Sequence, residues 1–89
     1  MDAEILAERL KEAAVALGLE CRACPPESEG GLVVLRGRRV VFVPRGALAA
    51  RRIEILAGAL APLDVESLRP PQAVLDAVER ARRSAGRDG

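Results

Sequence analysis

Histidine, asparagine, threonine, tryptophan and tyrosine are absent from this chain, Phe42 is its sole aromatic residue, and cysteine occurs twice. Each gap removes a class of chemistry. Without histidine there is no imidazole ligand for a metal, no Ser–His or Cys–His pair, and no side chain that titrates near neutral pH without tuning. Two cysteines alone do not close a four-ligand zinc site within one chain. With one phenylalanine there is no row of rings on which successive bases could stack. A dominant charge is missing too: 14 basic residues against 13 acidic ones leave +1, too little to gather polyanions. The start, MDAEILAERLKEAAVALG, is charged throughout and holds no long apolar run, so neither a signal peptide nor a membrane span is expected and the location is expected to be cytoplasmic. Gly30-Gly31 precedes a strand-like run instead of opening a helix, so it is not a phosphate or dinucleotide loop, and no cofactor is expected.

What is present is a chain of 89 residues with 49% apolar composition, enough for one small domain whose core must be built from Leu, Val, Ile and Ala. Thirteen of the 14 basic residues are Arg. Together with abundant Pro and the missing Asn, this bias suits a heat-adapted or GC-rich bacterial source.

The organising stretch is Leu32–Val43, LVVLRGRRVVFV. Two β-branched and aliphatic runs flank Arg36-Gly37-Arg38, the signature of a β-hairpin, because glycine takes a positive φ at no steric cost. In the second arm Val40 and Phe42 face one way and Val41 and Val43 the other, so both faces of that arm need cover. Before it, Leu19–Ala23 alternates apolar and charged residues as a half-buried strand does. Asp2 is placed to cap a first helix whose apolar face is Leu6, Leu10, Ala13, Ala14 and Leu17, with Gly18 as its left-handed stop. Ala47–Ala61 reads as a second helix with a core stripe of Ala49, Ile53, Leu56 and Leu60. Asp64 opens a short turn, and Pro71 sets the start of a third helix with Val74, Leu75, Val78 and Ala81 on its apolar side.

The expected fold class is therefore α+β: a three-stranded antiparallel sheet with two main helices packed on one face and a short C-terminal helix covering part of the other. A single domain is expected over residues 1–84, followed by a flexible tail over 85–89.

Candidate sites follow from what this arrangement leaves over. On the second helix Leu48, Ile55 and Ala59 extend the apolar arc beyond one stripe, and Arg52 falls inside it. A buried guanidinium there must snorkel along its methylenes or meet a carboxylate or carbonyls, within the chain or at a subunit contact. With Val41 and Val43 of the hairpin, these residues are the candidate interface. Arg36, Arg38 and Arg39 at the hairpin tip form a candidate phosphate-only nucleic-acid contact, although charges at a turn more often serve solubility and block edge pairing. Cys21-x-x-Cys24 could supply half of a zinc site shared across a dimer. As a redox pair it lacks the helix N-terminus that lowers a thiolate pKa, and in extended chain its Cα atoms lie about 10 Å apart, beyond disulfide reach.

The order of helix, strand, Gly-Gly loop, hairpin and the helix Arg51-Arg52-Ile53-Glu54-Ile55-Leu56-Ala57-Gly58-Ala59-Leu60-Ala61 resembles the middle of the ImmA/IrrE-type zinc metallopeptidases. In that family this helix carries H-E-x-x-H. The metal-binding histidines would fall on Ala57 and Ala61 and the catalytic glutamate on Gly58, so no active site carries over. The resemblance implies a scaffold without its metal chemistry, used for binding, in which Gly58 lets another helix approach. The reading that follows is a non-catalytic protein-interaction module acting as a homodimer, with an unidentified protein partner, a nucleic-acid or regulatory binder and a zinc-stabilised dimer as alternatives.

Overall fold

A computed structural model describes residues 1–87, with side chains through Ala85. Its elements are helix α1 (Ala3–Ala16), strands β1 (Glu20–Cys24), β2 (Gly31–Leu35) and β3 (Arg38–Pro44), helix α2 (Ala49–Leu60), a 3-10 turn (Val65–Leu68) and helix α3 (Gln72–Arg87). The class is α+β, as the sequence implies. α3 continues through Arg87, past the expected end of the domain at 84; the rest of the expected tail lies outside the described residues.

Local chemistry sets the element ends. The Asp2 carboxylate accepts from the Glu4 amide at 2.7 Å and from Ile5, satisfying two donors that the first turn of α1 leaves free. Gly18 at φ +90° ends the helix, and the Leu19 amide returns to the Ala14 carbonyl at 2.9 Å. The hairpin turn is the pair Arg36 and Gly37, both at positive φ (51° and 79°), the geometry whose twist matches that of the flanking strands. Asp64 caps the 3-10 turn through the Ser67 amide at 3.3 Å.

The sheet is mixed instead of antiparallel throughout as expected. Its order is β1-β3-β2, with β3 parallel to β1 and antiparallel to β2. Residues 25–30 carry the chain from the end of β1 across the end of β3, and the hairpin then returns β3 into the middle. The physical reason is the composition of β3. A central strand has a neighbour on each edge, whose side chains crowd around its own on both faces, and there Val40 and Val41 are 2% and 0% exposed.

The helices form a second layer on one face of the sheet. Val41, Val43 and Cys21 point into it and meet Leu10, Ala14, Leu56, Ala59 and Leu60. α3 packs mainly against α2 and α1, with Val74, Ala77 and Val78 in the same core, and does not roof the opposite face of the sheet as expected. The stripe of α2 is also rotated from the expected one. Leu56, Ala57, Ala59 and Leu60 are buried while Ala49 and Ile53 are only half-buried, because α1 and α3 cover α2 from two sides.

Candidate functional site

The sheet face turned away from the helices is assembled from alternate residues. Strand alternation and the pairings Glu20 with Val40, Arg22 with Phe42, Val33 with Val40 and Leu35 with Arg38 place all of these on one side. Val40 is closed over by its neighbours, whereas Val33 and Leu35 remain 40% and 45% exposed. A shallow depression on this side is lined by strand and turn residues alone, among them Glu20, Arg22, Leu35, Arg38 and Val40. Arg22 pairs with Glu20 across it.

β2 borders this face as an edge strand and is apolar on both of its sides. Leu32 and Val34, on the helix side, are 41% and 64% exposed. Edge strands are normally protected by a charge, a proline or a bulge. Between Gly31 and Leu35 there is none of these, and each residue pairs one-for-one with β3.

The expected interface residues do not come together. Val41 (0% exposed) and Ala59 (4%) are core of their own chain and cannot touch a partner, which corrects the expectation drawn from apolar periodicity. Val43 and Ile55 are half-buried and pack on the same core. Leu48 is exposed as the N-cap position of α2. Arg52 meets its partners within the chain, the Glu4 carboxylate and the Ala47 carbonyl at 3.2 Å, so its place in the apolar arc needs no second subunit. The surplus lies instead on β2, a strand whose apolar run is plain in the sequence but whose edge position is not.

Arg36, Arg38 and Arg39 are exposed at the hairpin tip, but alternation sends Arg38 and Arg39 to opposite faces of β3. They form no single cationic plane. Cys21 and Cys24 are three residues apart on one strand and so point to opposite sides of the sheet, which does not suit a shared metal ion. Cys21 borders a cavity of about 240 Å³ at the ends of β1 and β3, beside Glu8, Lys11, Arg45 and Arg52. Burial pushes the Cys21 thiol up, an effect that the Lys11 charge opposes, so the group stays protonated at neutral pH and is a poor nucleophile. Of the positions matched to the metallopeptidase motif, Ala57 is buried in the core, Ala61 is half-buried and Gly58 is exposed. A Cβ on Gly58 would meet nothing within 4 Å, so the close helix approach expected there does not occur.

Compared with family models, curated proteins and solved structures, the chain matches none.

Proposed function

We propose that this domain is a non-catalytic protein-interaction module that acts as a homodimer in the cytoplasm. The observation that carries the reading is β2, four consecutive aliphatic residues from Leu32 to Leu35, each at least 40% exposed, on the rim of a sheet face that the helices leave bare. Contiguous exposed apolar surface on a small domain marks a docking site more often than a solvated one. A two-fold contact is self-complementary, so a second copy brings an equivalent strip without any further partner. The element order that resembles the metallopeptidases, with Ala57, Gly58 and Ala61 at the motif positions, supports the same use of the scaffold for binding.

Light scattering on the full chain at micromolar concentration tests this. The expected mass is twice the 9.4 kDa of one chain. A monomer at that concentration overturns the reading.

A further inference from the structure

We infer that two copies join by antiparallel pairing of β2 with β2 about a two-fold axis at Val33, making one six-stranded sheet whose orientation is selected by charge. This rests on the homodimer reading and names the contact that makes it.

The hydrogen-bond parity of the sheet fixes which groups are available. The Arg45 amide, just past β3, donates to the Cys24 carbonyl of β1 at 2.9 Å. Odd-numbered positions of β3 therefore address β1, and even-numbered ones address β2. Val40 and Phe42 are matched to Val33 and Gly31, and Arg38 to Leu35, so these three pairs exchange the hydrogen bonds between β3 and β2. What remains along the outer side of β2 is the N–H and C=O of Leu32 and of Val34, unused by the sheet and aimed at solvent.

Only one two-fold register overlaps the whole of Gly31–Leu35 with itself, the one centred on Val33. It sets Leu32 opposite Val34 of the second copy and Val34 opposite Leu32. All four outward groups of each strand are then satisfied. Val33 meets its own equivalent on the bare face, as a close pair without mutual hydrogen bonds. Leu32 and Val34, exposed on the helix side, are brought side by side in the same step.

Charge selects this orientation. Glu27 and Glu29 lie just before β2; Arg36, Arg38 and Arg39 follow it. Among the described residues none of these five side chains is in an ion pair. The acidic segment is held in place by the Arg51 guanidinium, which donates to the Glu29 carbonyl at 2.9 Å, and by the Ser28 amide, which donates to Pro25 at 3.0 Å. Antiparallel pairing about Val33 carries the acidic segment of each copy alongside the basic turn of the other, at both ends of the ladder. Parallel in-register pairing would set Arg against Arg and Glu against Glu, and like charges opposed across strands are destabilising.

The test is a disulfide trap in a Cys21→Ala, Cys24→Ala background. Val33→Cys in that background should form a covalent dimer on mild oxidation, because such a cross-strand pair holds its Cβ atoms roughly 4.5–5.5 Å apart, close to disulfide range. Leu48→Cys, more exposed but on α2, should stay uncrosslinked. Independently, Arg36→Glu with Arg38→Glu should raise the dimer dissociation constant about tenfold, and adding Glu27→Arg with Glu29→Arg should restore it to within about threefold. A dimer by light scattering that is not trapped through residue 33, or whose charge reversals show no rescue, overturns this contact and leaves the homodimer reading standing. A monomer overturns both.

Discussion

Replacing Gly30 by alanine separates two costs that glycine hides, because Gly18 supplies a control. Both have positive φ, +74° and +90°. A residue with a Cβ pays roughly 1–2 kcal/mol in that region. At Gly18 nothing lies within 4 Å of the added carbon, so Gly18→Ala carries that cost alone. At Gly30 the carbon would lie 2.6 Å from the Phe42 carbonyl oxygen and 2.9 Å from the Pro44 ring. The Phe42 oxygen belongs to the central strand and cannot yield without disturbing the pairing of β3 with β2. A forced backbone shift there adds about 1–2 kcal/mol, for a total near 3 kcal/mol. For a domain of this size each kcal/mol lowers Tm by about 4–8 °C, so Gly30→Ala should melt roughly 12–24 °C below the parent and Gly18→Ala roughly 4–16 °C below. Both are read by thermal and urea melts followed by circular dichroism at one fixed protein concentration, since the proposed dimer would make Tm concentration-dependent. Equal losses in the two variants would refute the close packing of residue 30 on β3.

Other consequences are equally concrete. Leu60 is fully buried in the core shared by the helices and the sheet, and Leu60→Ala should cost about 3–4 kcal/mol in urea unfolding, a large share of the total for so small a domain. The Arg82 guanidinium donates to the Ala61 and Leu63 carbonyls at 2.8 and 3.0 Å and to the Glu66 carboxylate at 2.7 Å, tying α3 to the connection that precedes it. The hydrogen bond from Arg82 holds the Glu66 carboxyl at about 2, below its ordinary 4.5. A depressed carboxylate stabilises the fold above its unfolded pKa and loses that contribution as pH falls, so stability should drop between about pH 4.5 and pH 2. Glu66→Gln should flatten that part of the profile in acid melts, and an unchanged profile would remove the Glu66–Arg82 link as its source.

The sequence spoke clearly where a rule is local. Asp2 and Asp64 cap, Gly18 stops a helix, and Arg36-Gly37 turns a hairpin, because each depends on a few adjacent residues. Alternation also placed Val41 and Val43 on the opposite side of β3 from Val40 and Phe42. It could not say which strand β3 pairs with on its other edge, since period-two patterning fixes faces and not neighbours, and so a wholly antiparallel sheet was expected where β3 slots between β1 and β2 and runs parallel to β1. The same limit explains the interface residues. An apolar arc on α2 measures how much surface needs cover, not that the sheet and the other helices of the same chain supply it, which is why Ala59 is core. Arg52 was legible as a residue needing a partner, but Glu4 lies 48 positions away in sequence. The bare strand was hidden for the complementary reason: Leu32–Leu35 reads as well for a buried strand as for an exposed one.

Amide hydrogen exchange of the unmodified chain, followed residue by residue over a range of protein concentrations, reaches the central claim without a mutation. Leu32 and Val34 carry the outward amides of β2, so their protection should rise with concentration in step with dimer formation, while Val33 changes less. Fast exchange at Leu32 and Val34 that does not vary with concentration would contradict the account.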